Sequence, residues 1–316
     1  MPNAERPRPE LSVVVPCFNE EDNAGPIAAA IVAQLEPICQ DFEIIFIDKA
    51  SADRTVPILR ALCAADPRLR LIVNTRNFGQ LRSPTHALFQ ASGRAIIGIV
   101  ADFQDPPELI PEFVRRWRAG APVVLAVSET RKLSPFLAAA RRLSYALQRR
   151  FGDYPIIPNA TGFGIYDAAV VRAIARLNEP EPFFRGLLVE MGYKIETVTF
   201  VRPVRVAGES KNGFLALLDF ALSALAGSSK GLLRVPLYVA FFAFSLTLVT
   251  LFGAFVALIT GGSVRLWLWA GAIELQFTLL FLFLGLIGVQ VRMISDRTRN
   301  TPLVIERERV NFPPAE

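Results

Sequence analysis

The chain has 316 residues, 52% of them hydrophobic, and a formal net charge of +5. That length has room for one sizeable α/β domain plus a membrane segment. The positive charge gathers beside two apolar tracts (Lys230 and Arg234 before the first; Arg292, Arg297 and Arg299 after the second), which points to a membrane-side role and excludes nucleic acid as the partner.

The three cysteines, Cys17, Cys39 and Cys63, are odd in number and form no CxxC pair, which suits a reducing compartment and argues against a zinc site. His86 is the single histidine, so a His-rich metal cluster is ruled out, and a lone histidine is more often structural. Residues 1–10 are polar and proline-rich. The first apolar run, 11–15, is too short for a signal-peptide core.

In chain order, residues 11–16 are predicted as a short β-branched buried strand. A polar turn follows, Asn19-Glu20-Glu21-Asp22-Asn23, then a helix around 27–39. Residues 42–47 form the second strand, ending in Asp48; 55–65 a helix; 71–73 the third strand. A helix over 83–92 and a fourth strand over 95–100 lead to Asp102. Strands alternating with helices predict a parallel sheet with right-handed crossovers, whose ligands bind off the carboxyl ends of the strands. The polar clusters lie at those ends.

Pro106, Pro107 and Pro111 mark a loop and a helix start, with 109–118 helical and 123–127 a further strand. Residues 133–150 place apolar side chains at helical spacing among many arginines, and 212–233 form a second amphipathic stretch. Residues 235–260 carry no charge, and 266–291 carry only Glu274. A helix rises about 1.5 Å per residue, so about 20 apolar residues cross a hydrocarbon core roughly 30 Å thick. Both tracts are longer than that, and they predict a transmembrane hairpin. By the positive-inside rule both of its ends face the cytoplasm, with a short loop at 261–265 on the far side. A charge in hydrocarbon costs roughly 2.5 kcal/mol or more, so Glu274 is expected to face protein, or to sit nearer the interface on a shorter tilted helix. The predicted organisation is a catalytic domain over 1–211, juxtamembrane amphipathic helices over 212–234, the hairpin over 235–291 and a cytoplasmic tail over 292–316.

No GxGxxG or GxxxxGK[ST] occurs, so dinucleotide and P-loop readings are weak. Acidic residues sit at strand ends instead. A carboxylate there can hold a divalent metal that neutralises a diphosphate leaving group, and Asp102 is the foremost candidate; an aspartate ahead of Pro106-Pro107 also serves as a loop cap.

Several ordered segments carry a specific resemblance. Val14-Val15-Pro16-Cys17-Phe18-Asn19-Glu20-Glu21 resembles the opening strand and turn of family 2 glycosyltransferases. Ile47-Asp48-Lys49-Ala50-Ser51-Ala52-Asp53-Arg54-Thr55 resembles their Asp-Asp-Gly-Ser-x-Asp-x-Thr motif. Arg76-Asn77-Phe78-Gly79 and Ala101-Asp102-Phe103-Gln104-Asp105-Pro106-Pro107-Glu108 are similar to motifs of the polyisoprenyl-phosphate branch, typified by dolichol-phosphate mannose synthase. Phe184-Arg185-Gly186, Ala207-Gly208-Glu209-Ser210-Lys211 and the terminal hairpin agree with its membrane-anchored bacterial members.

The resemblance implies a GT-A fold, a Rossmann-like and mostly parallel α/β domain. It also implies a nucleotide-diphosphate sugar donor, Mg²⁺ or Mn²⁺, and inverting transfer to a polyprenyl phosphate at the cytoplasmic face of the inner membrane. A homo-oligomer, often a tetramer, goes with such hairpins. Carried over by position, Pro16, Asn19 and Glu21 would lie beside the base and ribose, and Asp48 would contact the nucleoside. Asp102 would bind the metal. Gln104 and Asp105 would face the sugar, Arg131 and Lys132 the phosphates, and Arg205 and Lys211 the acceptor phosphate.

The chain departs from the pattern at named positions. Lys49 stands for the second Asp of the first acidic motif and Ala50 for its Gly; Val100 replaces the first Asp of Asp-x-Asp; Gly162 replaces an aspartate taken as base or sugar contact. Glu190, alone or with Asp105, is the expected replacement carboxylate; the alternative is a simple pairing of Glu190 with a nearby cation. Lys49 either pairs with a donor phosphate or carboxylate, or is a solvent-facing loop residue. The leading expectation is an enzyme. A catalytically degenerate nucleotide-sugar-binding scaffold is the alternative, whereas a processive synthase or a flippase would need more membrane helices.

Overall fold

The computed structural model describes residues 9–129, 157–180, 182–201, 203 and 301–312, together with individual helical positions between 269 and 298. Its centre is an eight-stranded sheet. The strands are β1 (Leu11–Cys17), β2 (Phe42–Asp48), β3 (Leu69–Asn74), β4 (Ala95–Gly98), β5 (Val123–Ser128), β6 (Ala160–Asp167), β7 (Ile195–Phe200) and β8 (Glu306–Val310). The helices are α1 (Ala24–Leu35), α2 (Thr55–Ala65), α3 (Gly79–Gln90), α4 (Ile110–Arg118), α5 (Ala168–Ala175) and α6 (Phe184–Glu190).

The strand order is β7-β5-β6-β4-β1-β2-β3-β8. β1, β2, β3 and β4 run parallel, while β6 runs against β4 and β5, and β8 runs against β3. β7 is parallel to β5. The sheet is therefore mixed at both flanks around a parallel centre.

Strand periodicity builds the two faces. β1 and β2 are buried almost throughout, as strands covered on both sides must be. Val13, Val15, Ile44 and Phe46 point to one face and pack with Ile27, Ile31 and Leu35 of α1, Leu59 of α2 and Phe113 of α4. Val14, Ile45, Ile47 and Ile72 point to the other and pack with Leu88 of α3, Val171 of α5 and Leu188 of α6. Each such side chain contributes about 1.5–3 kcal/mol on burial.

The helices follow the handedness of the crossovers. α1 and α2 carry the chain outward from β1 to β3 on one face, and α3 returns it to β4 on the other. The order reverses between β1 and β4, and in open α/β sheets a crevice opens at that switch point, off the carboxyl ends.

The observed elements adjust the expected ones. β4 stops at Gly98 rather than 100, and α1 occupies Ala24–Leu35 rather than 27–39. β8 lies within the tail expected to be separate, so that segment completes the sheet of the first domain. Among the described residues no helix is long and apolar enough to cross a membrane. The amphipathic stretches, the first apolar tract and most of the second, including Glu274, lie outside the described residues.

Candidate active site

Two turns at the switch point are bonded to each other. After β1 the chain passes through Asn19 at φ 54°, and after β2 through Ala50 at φ 62°. Asn19 N donates to Ser51 Oγ at 2.8 Å, and Ala52 N returns a bond to Asn19 Oδ1 at 2.8 Å. Glu20 N donates to Thr55 Oγ1 at 2.8 Å, while Glu21 accepts from Arg54 N at 3.1 Å. The side chains of Asn19 and Glu21 thus hold the β1 and β2 turns in one frame. Pro16 lies half-buried within β1, just ahead of them.

Asp48 ends β2 fully buried. It accepts from Ser51 N at 2.9 Å and from the Ser51 hydroxyl. Burial raises its pKa above the usual carboxylate value, and the bonds from Ser51 and Ala50 partly offset that rise. Lys49 is half-buried beside it, with Nζ 5.7 Å from the Phe18 ring centroid. Burial lowers its pKa, against the pull of Glu20 and Asp48. Lys49 is thus not a solvent-facing loop residue.

The third contribution follows β4. Asp102 is half-buried, and its Oδ1 accepts from Gln104 N at 3.2 Å. Phe103 between them sits at φ 57°, an outlier for a bulky side chain. Such strain persists only where the surroundings enforce it, and it clusters at functional sites. Asp105 is turned inward: it is 2% exposed, and its Oδ2 faces Val100 N at 3.4 Å. Asp105 thus closes the loop towards Val100 N.

β6 supplies the far wall. Gly98 pairs with Gly164, so Gly162 lies beside the chain leaving β4. Gly162 has φ 90°, which L side chains rarely adopt, and a Cβ there would meet Arg185 Cδ at 3.5 Å. Arg185 donates to Ala160 O and stacks 5.2 Å from the Phe183 ring centroid. The Tyr166 hydroxyl donates to Gly162 O at 2.5 Å. Beside the position where the resemblance expects a carboxylate, this chain packs the methylenes of Arg185, whose guanidinium is bonded to Ala160 O. The proximity of Arg185 to position 162 depends on β4–β6 pairing, which no local pattern in the sequence reveals.

Glu190 stands at the last position of α6. α6 begins at Phe184 and Arg185 beside Gly162, then runs to Glu190 and the turn into Ile195. Ile195 pairs with Val123, the amino end of β5. Glu190 is thus carried away from Asp102 to an exposed position near the opposite end of the sheet. Arg131, Lys132, Arg205 and Lys211 lie outside the described residues.

Among the described residues no three His, Cys, Asp or Glu side chains gather to form a cation cage. A half-buried carboxylate at a strand end instead fits a cation that arrives with its ligand. Mg²⁺ is commonly held by one or two carboxylates plus substrate phosphates.

The chain as a whole is similar to known proteins. Residues 12–175 match the model of glycosyl transferase family 2. The chain is 31% identical over 299 residues to an uncharacterized glycosyltransferase, YkcC, of Bacillus subtilis (strain 168), covering 94% of this chain and 93% of that one. It is 33% identical over 307 residues to the bactoprenol glucosyl transferase of Shigella phage SfII, covering 94% and 97%. A solved mycobacterial protein, 22% identical, superposes with a TM-score of 0.50 over 70% of this chain and 76% of its own, a likeness of fold alone. The sheet is that of the GT-A fold, and the chain belongs to glycosyl transferase family 2 and is a glycosyltransferase.

Proposed function

We propose that the chain transfers a hexose from a nucleotide-diphosphate sugar to a polyprenyl phosphate, with inversion at the anomeric carbon. The observation that carries this is Asp102 at the β1/β4 switch point, in a chain that aligns almost end to end with a bactoprenol glucosyl transferase. The two apolar tracts and their basic flanks support a site held at a bilayer, on the cytoplasmic side of an inner membrane. Assembly as a homo-oligomer, such as a tetramer, belongs to the same proposal.

The chain's own residues divide the work. The bonded turns of Asn19–Glu21 and Asp48–Thr55 present a rigid floor for the nucleoside, with Lys49 offering three donors and no acceptor. Asp102 would hold the divalent cation, Mg²⁺ or Mn²⁺, whose charge offsets that of the departing diphosphate. Arg185, pinned by Ala160 O, offers a planar fork to a phosphate oxygen. A phosphate oxygen of the acceptor bonds to the anomeric carbon as the diphosphate leaves with the bonding pair. The acceptor's second pKa is about 6, so near pH 7 it arrives largely as the dianion and needs no strong base. The absence of an aspartate at 162 is then no obstacle.

A second reading is favoured by Val100, Lys49 and Gly162: a scaffold that binds a nucleotide sugar without turnover. Radiolabelled UDP- and GDP-hexoses, glucose first, offered with polyprenyl phosphate in detergent separate the two. A lipid-linked product is expected from one donor. Nucleotide binding without any product would favour the scaffold.

A further inference from the structure

We infer that Lys49 selects the donor by its base: the ammonium donates to a keto oxygen, so the site takes a nucleoside diphosphate of uracil or guanine and rejects one with an amino group at that ring position. This deepens the proposed sugar transfer and rests on it. Strand order gives the placement. The carboxyl ends of β4, β1 and β2 follow one another along the rim and lead to Asp102, Asn19 and Lys49 in turn. Neighbouring strands stand roughly 4.8 Å apart, so the end of β2 is about 10 Å from that of β4. That is the reach from diphosphate to base in an extended nucleotide, and too far for one phosphate to the next. With the diphosphate held at Asp102, Lys49 meets the base.

The surroundings decide what Lys49 can read. Its backbone is fixed: N donates to Cys17 O at 3.0 Å, and Ala50 follows in left-handed backbone. The side chain is half-buried against the Phe18 ring. Among the described residues Nζ makes no hydrogen bond or ion pair. The carboxylates around it are engaged elsewhere. Asp48 is fully buried on Ser51. Glu20 accepts from Asn23 Nδ2 at 2.7 Å, and Glu21 from Arg54 N at 3.1 Å. Asp53 accepts from Glu21 N at 3.3 Å and Thr55 N at 3.0 Å.

The end of β2 therefore offers a ligand donors. An ammonium has three and no acceptor. Uracil O4 and guanine O6 accept from it. Cytosine and adenine carry an amino group at the corresponding position, which sets donor against donor. A site built on a hydrogen bond discriminates because the wrong ligand leaves its polar group unpaired. The family pattern has an acceptor, aspartate, at this position, so the reversal of charge belongs to this chain's own sequence.

The test is calorimetric titration of the full chain in detergent with UDP, CDP, GDP and ADP, each with Mg²⁺, for wild type and Lys49→Met. The wild type is expected to bind UDP over CDP, or GDP over ADP, by about tenfold or more. Lys49→Met should bring that pair within about threefold by weakening the keto nucleotide alone. An equal loss for all four would place Lys49 on the diphosphate and overturn the inference, as would no loss at all. A wild type that binds none of the four would instead overturn the donor reading beneath it. Should Lys49→Met fail to fold, 4-thio-UDP and 6-thio-GDP test the wild type, because sulfur is a weak acceptor. Several-fold weaker binding than to the oxygen parent is expected, and equal binding would overturn the inference.

Discussion

The two ends of the sheet are built on opposite terms. At the amino end, Glu43 is 2% exposed and accepts from Ser12 Oγ at 2.5 Å, Ser92 N at 2.7 Å and Ser92 Oγ at 2.9 Å, with Arg70 in an ion pair. Polar side chains there are bound mainly to one another. At the carboxyl end, Ala50 and Phe103 occupy left-handed backbone, Asp102 stays half-buried and Lys49 keeps a cation beside carboxylates. The contrast teaches that one end of the sheet holds the molecule together while the other carries strain to present chemistry.

The largest effect that tests this division is at Glu43. Glu43→Ala leaves Arg70 and two serines without their partner and is expected to cost about 3–5 kcal/mol in urea unfolding. Nucleotide affinity of the folded fraction should stay within about twofold. A variant of unchanged stability would erase the contrast.

A smaller effect is expected where β8 closes the β3 edge. Burial alone would raise the Glu306 carboxyl, but hydrogen bonds from His86 and Arg309 outweigh it and hold the pKa at about 2. A carboxyl depressed on folding stabilises above its unfolded pKa, about 4.3, and that stability is lost as pH falls towards 2. Urea midpoints should therefore drop between pH 5 and pH 2, by an amount worth up to about 3 kcal/mol. His86→Ala should flatten part of that slope. An unchanged slope would mean the His86–Glu306 contact does not secure the edge.

The smallest effect is at Ala50. Left-handed backbone costs an L-residue roughly 1–2 kcal/mol, and glycine's extra unfolded-state entropy returns about half of that. Ala50→Gly should stabilise by roughly 0.5–1 kcal/mol and raise Tm by about 2–3 °C. A fall in Tm would show that the turn is not strained there.

The parallel centre was legible in the sequence because its strands are continuous β-branched runs ending in polar clusters. β6 was not, since Thr161-Gly162-Phe163-Gly164 has no strand-like run and is held by pairing with β4 and β5. β8, Glu306-Arg307-Glu308-Arg309-Val310, alternates charges and becomes a strand only because β3 offers an open edge. At the site, Asn19, Asp48 and Asp102 could be located because strand ends mark ligand crevices. Where Glu190 stands was not legible, because nearness to Arg185 in sequence says nothing about which way a helix runs. Arg185 beside Gly162 is a long-range contact, and a single sequence carries no local trace of it.

The most direct test of the account is the rate of lipid-linked sugar formation by the wild type and Asp102→Asn, with divalent cation and with EDTA, alongside thermal unfolding of both. A fall of at least about 10²–10³-fold at unchanged Tm, matched by EDTA on the wild type, is predicted. A variant that keeps its rate would contradict the assignment of chemistry to the carboxyl end of the sheet.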